Sequence, residues 1–217
     1  MEANGNSLRI TPDALSGIRH VCAFFHDRDE QYRVLRSFFT DGFARGDRAF
    51  HLVDSALRDE HLKRLADAGI DVEKATDSGQ LEVRRWEDCY LRGDRFDQEG
   101  WLKSIEEVLA SSQAAGYAQT RVLGQMEWAL HNLPGVEDLI EYEIRLNDVI
   151  PRYDDTVVCS YDLSKFGART VMYALRTHPV VLIGGLMQKN PFCVDPDEVL
   201  RELREQRSSP EGAAVGR

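Results

Sequence analysis

Short apolar runs alternate with segments of helical periodicity along most of the chain. The runs are rich in β-branched and aromatic residues and end at polar or glycine-containing turns, which is typical of buried strands. They cover residues 21–25, 49–53, 81–86, 121–126, 156–161 and 180–183. Strands that alternate with helices predict an α/β fold of three layers, in which helices cover both faces of a mostly parallel central sheet. The last run contains no polar residue, which predicts a central strand.

The intervals between the runs carry apolar residues at spacings of three and four, as amphipathic helices do. This periodicity covers residues 35–43, 62–66, 101–109, 136–150 and 168–175. Asp97 and Asp195 stand where helix N-caps are expected. We expect a single folded domain over residues 18–205, preceded by a flexible lead over 1–17 and followed by a disordered tail over 206–217.

Composition and charge exclude several classes of protein. The formal net charge of −10 argues against direct nucleic-acid binding, which needs a basic surface. No apolar run is long enough to cross a bilayer and the first residues lack the pattern of a secretion signal, so we expect a cytoplasmic protein without membrane contact. The four cysteines form no C-x-x-C pair. We expect Cys22 and Cys159 to be buried in strands, and nothing nearby marks Cys89 or Cys193 as an activated thiol.

The turn after the first strand lacks the residues that bind phosphate. In nucleotide-binding α/β domains this turn carries glycines and a lysine, whose N–H groups cradle phosphate. Residues 26–30 of this chain read His-Asp-Arg-Asp-Glu, with no glycine, no lysine and three acids. The order of elements therefore predicts a nucleotide-binding type of sheet, while the chemistry of its first turn argues against a nucleotide.

Polar and aromatic side chains follow the predicted strands at the points where they end. The carboxyl ends of parallel strands share one edge of the sheet, and ligands bind in the crevice there. Apolar walls with a few fixed polar groups are typical of a pocket for a small organic molecule. The residues that we expect to bind such a ligand are Phe25, His26, Trp86, Glu127, Trp128 and Tyr161.

Several of these residues also have a structural interpretation. Trp86 and Trp128, taken singly, are typical core anchors, and Asp54 at the exit of the second strand is a typical helix cap. Glu127 lies between Met126 and Trp128, where a partly buried carboxylate must be paired, neutralised or used.

Other chemistries have weaker support in the sequence. His26, Asp54 and Glu127 together offer nitrogen and oxygen ligands, but no local spacing supports a metal site. There is no G-x-S-x-G motif, so a hydrolase triad is not predicted. His178 precedes Pro179 on the edge opposite the strand exits, and we interpret the pair as structural turn chemistry. We therefore expect no catalytic residue, no metal and no cofactor.

Several blocks of the sequence resemble the MEDS family, the methanogen/methylotroph DcmR sensory domain. The resemblance extends over residues 18–205, and Met126-Glu127-Trp128 is its most specific part. It is carried by residues 20–25, 80–83, 86–88, 124–130, 161–163, 176–179 and 190–192. The resemblance implies a RecA/KaiC-like fold without a Walker A phosphate loop. It also implies a role in sensing small molecules such as hydrocarbon derivatives, often beside a DNA-binding or histidine-kinase domain.

The leading hypothesis is a cytoplasmic sensory or regulatory domain that binds a small organic molecule at the strand exits. Aromatic residues would enclose its apolar body while His26, Glu127 or Tyr161 fixed a polar group, and segments 89–98 and 187–194 would move on binding. Because no output domain is recognised, the signal would pass to a histidine kinase or transcription regulator, or through a homodimer. Two alternatives stay open, namely a degenerate ATPase that uses Glu127 and a ligand-free protein-interaction module.

Overall fold

The computed structural model describes residues 8–10, 19–131 and 133–208, with side chains as far as residue 205. The strands in these ranges are β1 (Arg9–Ile10), β2 (His20–Phe25), β3 (Arg48–Val53), β4 (Leu81–Arg85), β5 (Leu91–Arg92), β6 (Arg95–Phe96), β7 (Thr120–Gln125), β8 (Thr156–Asp162), β9 (Val180–Ile183) and β10 (Leu186–Lys189). The α-helices are α1 (Arg28–Arg45), α2 (Arg58–Asp67), α3 (Val72–Asp77), α4 (Trp86–Tyr90), α5 (Gln98–Ala114), α6 (Leu139–Val149), α7 (Ala168–Thr177) and α8 (Pro196–Ser208). Short 3-10 helices cover Ser55–Leu57, Met126–His131, Val136–Asp138 and Ile150–Arg152.

Eight of the strands form one sheet, in the order β1-β10-β9-β2-β8-β7-β3-β4. Neighbours in this sheet are parallel, except that β9 and β10 are antiparallel. Strands β5 and β6 pair with each other in a separate hairpin. The mostly parallel α/β fold expected from the sequence is therefore confirmed.

Strands β1 and β10 are additions to the sequence-based prediction. The chain turns from β9 into β10 through Gly184 and Gly185, whose φ angles of 55° and 78° are those that a tight hairpin turn requires. With β10 on one side and β2 on the other, β9 is an interior strand, as its apolar sequence predicts, although it lies third from one edge rather than at the middle of the sheet. Because β9 is hydrogen-bonded to a strand on each side, an apolar sequence suits it. Trp86, predicted to end a strand, instead begins α4.

Apolar layers lie on both faces of the sheet. Along β2, Cys22 and Phe24 point to one face, whereas Val21, Ala23 and Phe25 point to the other, as the period of two along a strand requires. Helices α4, α5, α6 and α7 contribute to the first layer, and α1, α2 and α3 contribute to the second. We call these two sides the α6 face and the α1 face.

Two predicted helix caps are confirmed. The Asp97 carboxylate accepts a hydrogen bond of 3.1 Å from the backbone N–H of Gly100 at the start of α5. The Asp195 carboxylate accepts one of 2.9 Å from the N–H of Asp197 at the start of α8. Both bonds satisfy donors that a helix N-terminus otherwise leaves unpaired.

The ends of the chain are only partly described. Within the predicted lead, β1 pairs with Leu186 and Met187 of β10, while residues 1–7 and 11–18 lie outside the described residues. Helix α8 extends to Ser208, three residues into the predicted tail, and residues 209–217 lie outside the described residues. No helix in the described part of the chain is long and apolar enough to span a bilayer.

Candidate functional site

The six residues predicted to bind a ligand lie at the carboxyl edge of the sheet but differ in exposure. Phe25, Trp86, Trp128 and Tyr161 are buried, His26 is exposed, and the Glu127 side chain is 15% exposed. The Phe25 side chain belongs to the α1 face, whereas the two tryptophans and Tyr161 belong to the α6 face. These residues therefore share one edge of the sheet, but their side chains do not line one common surface.

The two tryptophans are packed in an aromatic cluster. The Trp128 ring lies 4.4 Å from Tyr90, 4.9 Å from Phe96 and 6.3 Å from Trp86, measured between ring centroids. Stacked and tilted aromatic pairs at these distances stabilise a core beyond the area that they bury. Both tryptophans thus serve as core anchors, whatever else they contact.

Glu127 is partly buried and paired, as its position between apolar residues predicts. Its carboxylate lies 3.4 Å from Nζ of Lys165, which lies at the same distance from the carboxylate of Asp162. Although burial opposes it, hydrogen bonds from Ser164 and the nearby Lys165 lower the pKa of Asp162. Asp54 caps its helix, accepting a hydrogen bond of 2.8 Å from the N–H of Ala56, which confirms the capping interpretation.

Carboxylates occupy the N-terminus of α1, where a phosphate would bind in a nucleotide-binding domain. Asp27 accepts a hydrogen bond of 2.8 Å from the N–H of Glu30, whose carboxylate accepts one of 2.7 Å from the N–H of His26. This arrangement is a variant of the capping box, in which the Glu30 carboxylate accepts from the residue before the N-cap instead of from the N-cap itself. Asp29 in the same turn pairs with Arg64 at 2.7 Å. Two N–H groups of this turn, those of His26 and Glu30, are therefore already satisfied by acidic side chains.

Polar atoms without partners concentrate at the same edge. Among the described residues, nine buried side-chain nitrogen or oxygen atoms have no hydrogen-bond partner in the protein. Six of them belong to residues in the last position of a strand or in the segments that leave the carboxyl edge. These are Gln31 Nε2, Trp86 Nε1, Glu87 Oε2, Gln98 Oε1, Gln125 Oε1 and Trp128 Nε1. Buried polar groups are nearly always satisfied in proteins, so this edge is suited to a polar guest or to water.

A second polar cluster lies at the opposite edge, on the α6 face. His20 begins β2, Cys159 lies within β8, Glu143 projects from α6 and His178 follows α7. The four side chains are buried, with exposures of 0% to 4%. Oε2 of Glu143 lies 3.2 Å from Nε2 of His20, 3.4 Å from Nε2 of His178 and 3.8 Å from Sγ of Cys159. One ligand atom from each of the four residues lies within 4.8 Å of the other three, a spacing that could hold a metal ion.

Neighbouring groups orient this cluster. Nδ1 of His20 lies 3.0 Å from Oδ1 of Asn147, and Nδ1 of His178 lies 2.8 Å from the backbone carbonyl of Ala174. Tyr161, one of the predicted ligand residues, has its hydroxyl 3.5 Å from Oε1 of Glu143. Tyr161 thus contacts the second cluster from the sheet instead of facing the strand exits.

The sequence held two signals for the second cluster that the pattern analysis missed. Glu143 follows Leu139 by four residues, so it lies in the apolar stripe of α6, where a charge is unusual. His20 precedes Cys22 by two residues, so it shares the face on which Cys22 is buried. His178, interpreted as turn chemistry, does lie at the amino edge as expected, but its ring is also part of the cluster.

The cysteines differ little in reactivity. Cys22 and Cys159 are buried, as predicted, and burial raises the pKa of each well above its usual value. Burial also raises the pKa of Cys89 to about 11 and raises that of Cys193. None of the four thiols is therefore activated by its protein surroundings alone.

A further buried network lies on the α1 face. His51 and His61 are linked by a contact of 2.9 Å between Nδ1 and Nε2, and Nδ1 of His61 lies 2.5 Å from the Tyr32 hydroxyl. Burial lowers the pKa of His51 well below its usual value and lowers that of His61 to about 4. Both histidines are therefore neutral in the folded protein near pH 7.

The fold is an α/β fold similar to that of a KaiC-like protein. A KaiC-like protein from the hyperthermophilic archaeon Pyrococcus horikoshii OT3 is similar over 76% of this chain and 69% of that chain, with a TM-score of 0.51. The two sequences are 12% identical, so this similarity shows the fold alone.

The chain belongs to the MEDS family, the MEthanogen/methylotroph, DcmR Sensory domain, whose model matches residues 19–179. The transcriptional repressor DcmR of Methylorubrum extorquens (strain DSM 6343 / CIP 106787 / DM4) is 26% identical over 160 residues. The match covers 73% of this chain and 57% of the repressor, so the chain spans little more than half the length of that relative. Family membership and this relative support a sensory or regulatory role.

Proposed function

We propose that this sensory domain binds a small organic molecule with a polar group at the carboxyl edge of its sheet and passes the signal to a partner protein. The observation that carries the proposal is the concentration of unpaired buried polar atoms at that edge. Each such atom costs about 1–3 kcal/mol when nothing satisfies it. A ligand that supplied the missing donors and acceptors would recover part of that free energy.

The topology supports the same location. Helix α1, which follows β2, packs on the α1 face, whereas α7, which follows the neighbouring strand β8, contributes to the α6 face. Adjacent strands whose connections leave toward opposite faces open a crevice at their carboxyl ends, where α/β proteins bind ligands. Gln125, the last residue of β7, lies beside this point, since β7 is the other neighbour of β8.

The residues of the edge suit different parts of such a ligand. The amides of Gln31 and Gln125 are buried and hold an unpaired donor and an unpaired acceptor, respectively. Trp86 offers an unpaired indole N–H and an aromatic surface. His26 and Glu127 are more accessible and would contact a polar group at the mouth of the crevice.

A nucleotide is a poor candidate for this ligand, and we propose that the domain is not an enzyme. The variant capping box of Asp27 and Glu30 places carboxylates where phosphate oxygens would need free N–H groups. Glu127, the candidate base of a degenerate ATPase, is held by Lys165. Positioning and neutralising the phosphates is most of what an enzyme contributes to phosphoryl transfer, and this turn offers neither.

A matched pair of glutamine variants tests the site. Gln125→Met fills the same volume but removes the unpaired Oε1. Gln80→Met instead removes an amide whose Nε2 donates to the carbonyls of Phe43 and Asp47, away from the exits. The full chain would be screened by thermal shift and ligand-observed NMR with short-chain alcohols, aldehydes, carboxylates and halogenated hydrocarbons. We expect a binding probe to raise the melting temperature of the native chain and of Gln80→Met, but not of Gln125→Met.

Equal stabilisation of both variants by a binding probe would contradict the site assignment. If no probe bound and native mass spectrometry of the purified chain retained no small molecule, the ligand-free interaction module would replace this proposal. Stabilisation by ATP with magnesium would instead favour the degenerate ATPase.

The similarity to DcmR suggests which kind of protein receives the signal from this domain. DcmR is named a transcriptional repressor, so we propose that the partner of this chain is a transcription regulator or a histidine kinase. Ligand binding transmits a signal only if it favours one conformation of the domain over another. Of the two segments expected to move, 89–98 follows β4 at the carboxyl edge. The expected position of segment 187–194 near the strand exits is wrong, because β10 runs antiparallel to β9 and brings the segment to the amino edge beside His178.

A further inference from the structure

We propose that His20, Glu143, Cys159 and His178 bind a zinc ion in a closed, tetrahedral, structural site at the amino edge of the sheet. The four residues come from β2, α6, β8 and the α7–β9 connection, so the ion would join four separate segments. The proposal is independent of the ligand site, which lies at the other edge.

The hydrogen bonds of the two histidines point lone pairs into the cluster. Nδ2 of Asn147 donates to the backbone carbonyl of Thr177 at 2.8 Å, which fixes the amide so that its Oδ1 accepts from Nδ1 of His20. Nδ1 of His178 faces the carbonyl of Ala174 at 2.8 Å and must also donate. In neutral imidazoles the Nε2 atoms are then unprotonated acceptors, and both face the Glu143 carboxylate.

In the part of the chain that the structure describes, no cation is paired with the electron-rich atoms of this cluster. Two nitrogen lone pairs, a carboxylate and a sulfur converge in a site with almost no contact with water, and Nε2 of His178 has no hydrogen-bond donor or acceptor. A divalent cation with two neutral histidines, one carboxylate and one thiolate would give a site of zero net charge. Charge balance of this kind offsets the cost of burying ions.

The distances fit a tetrahedral zinc ion. Zinc bonds of about 2.0–2.1 Å to nitrogen or oxygen and about 2.3 Å to sulfur separate the ligand atoms by about 3.3–3.6 Å in a tetrahedron. The observed separations are 3.2 Å and 3.4 Å from Glu143 Oε2 to the two Nε2 atoms, and 3.5 Å from Cys159 Sγ to Nε2 of His20. The contact from Glu143 Oε2 to Cys159 Sγ is 3.8 Å, and the two other pairs, from Nε2 of His178 to Nε2 of His20 and to Sγ of Cys159, lie within 4.8 Å. The four measured separations therefore lie within a few tenths of an ångström of those in a tetrahedral site, and the bound on the other two requires His178 to move by no more than about 1.5 Å.

The outer contacts are those that zinc sites use. Histidine ligands of metals commonly donate their second N–H to a carbonyl or carboxylate, as His20 and His178 do. The Tyr161 hydroxyl near Oε1 leaves Oε2 of Glu143 as the oxygen that faces the cluster. Histidine nitrogen, cysteine sulfur and carboxylate oxygen are all zinc ligands, and four protein ligands in a tetrahedron leave no open position for catalysis.

Metal analysis of the full chain tests the proposal. After dialysis against a chelator, we expect the chain to bind one equivalent of added zinc and to melt at a higher temperature with zinc than without. Cobalt added in place of zinc should give the intense visible bands of a tetrahedral ion together with a thiolate-to-metal charge-transfer band.

Two cysteine variants assign the sulfur. Cys159→Ser should lose the charge-transfer band and bind zinc more than about 100-fold more weakly. Cys22→Ser is the matched control, because Cys22 pairs with Cys159 in the sheet but its Sγ faces the carbonyl of Val180. This control should keep the band and the affinity. Should Cys159→Ser fail to fold, the cobalt spectrum of the native chain still tests the site. Less than one equivalent of bound zinc, a cobalt spectrum without a thiolate band, or loss of the band only in Cys22→Ser would overturn the proposal.

Discussion

Nε2 of His178 lies 3.4 Å from Oε2 of Glu143, although one residue follows α7 and the other lies in the middle of α6. Burial, followed by the neighbouring His20, lowers the pKa of His178 well below its usual value, so its ring is neutral near pH 7. The contact is therefore between a lone pair and a carboxylate rather than an ion pair. Such a contact gains stability only when a cation or a proton lies between the two atoms.

Asn147 provides a test of how the cluster is oriented. Asn147→Ala removes the acceptor of the His20 N–H without removing a metal ligand, and changes of this kind weaken metal binding by about 10–100-fold. Asn147→Asp retains an acceptor for His20 and should recover most of the affinity. Zinc affinity would be measured by competition with a chromogenic chelator. Equal loss of affinity in both variants would show that Asn147 acts through the packing of α6 rather than through His20.

The Gln125→Met and Gln80→Met variants should differ in their free energy of unfolding when no ligand is present. Gln125→Met removes the buried Oε1 that has no partner together with the hydrogen bond between the amide and Tyr32, so stability should stay within about 1 kcal/mol of the native value. Gln80→Met removes two hydrogen bonds to backbone carbonyls and should cost about 1–3 kcal/mol. Urea denaturation gives both values. A loss for Gln125→Met as large as that for Gln80→Met would mean that ordered water already satisfies the Gln125 amide.

Trp128 is a poor probe of ligand binding because it is a core residue. Its ring is 1% exposed and packs against Tyr90, Phe96 and Trp86. Trp128→Ala should therefore lower the free energy of unfolding by about 3–5 kcal/mol, and Trp128→Phe by less. Denaturant midpoints measured with no ligand present decide this. A packed ring should cost about 3–5 kcal/mol when it is removed. A loss below about 1 kcal/mol for Trp128→Ala would instead indicate an open pocket around the indole.

The sequence predicts the sheet better than it predicts the sites. The alternation of apolar runs with helical periodicity depends on local patterns, which identify strands such as β2 and β8 to within one residue. The cluster depends on how α6 and α7 lie across three strands, which no local pattern contains. Glu143 in an apolar stripe was visible as an anomaly, but its partners, His20 and His178, are separated from it by long stretches of chain. The strand exits were predicted because the rule that places them follows from topology alone.

Acid should destabilise the fold through the buried histidines of the α1 face. Burial lowers the folded-state pKa of His61 to about 4 and that of His51 well below its usual value, while both have ordinary pKa values in the unfolded chain. The unfolded state therefore binds more protons as the pH falls below about 6.5, and each such histidine removes about 1.4 kcal/mol of stability per pH unit until it is protonated in the folded state. Urea denaturation at a series of pH values should show this slope. His51→Leu should make it shallower, whereas His26→Gln, which alters an exposed histidine, should leave it unchanged. A slope that His51→Leu does not alter would mean that acid acts through other groups, such as His178.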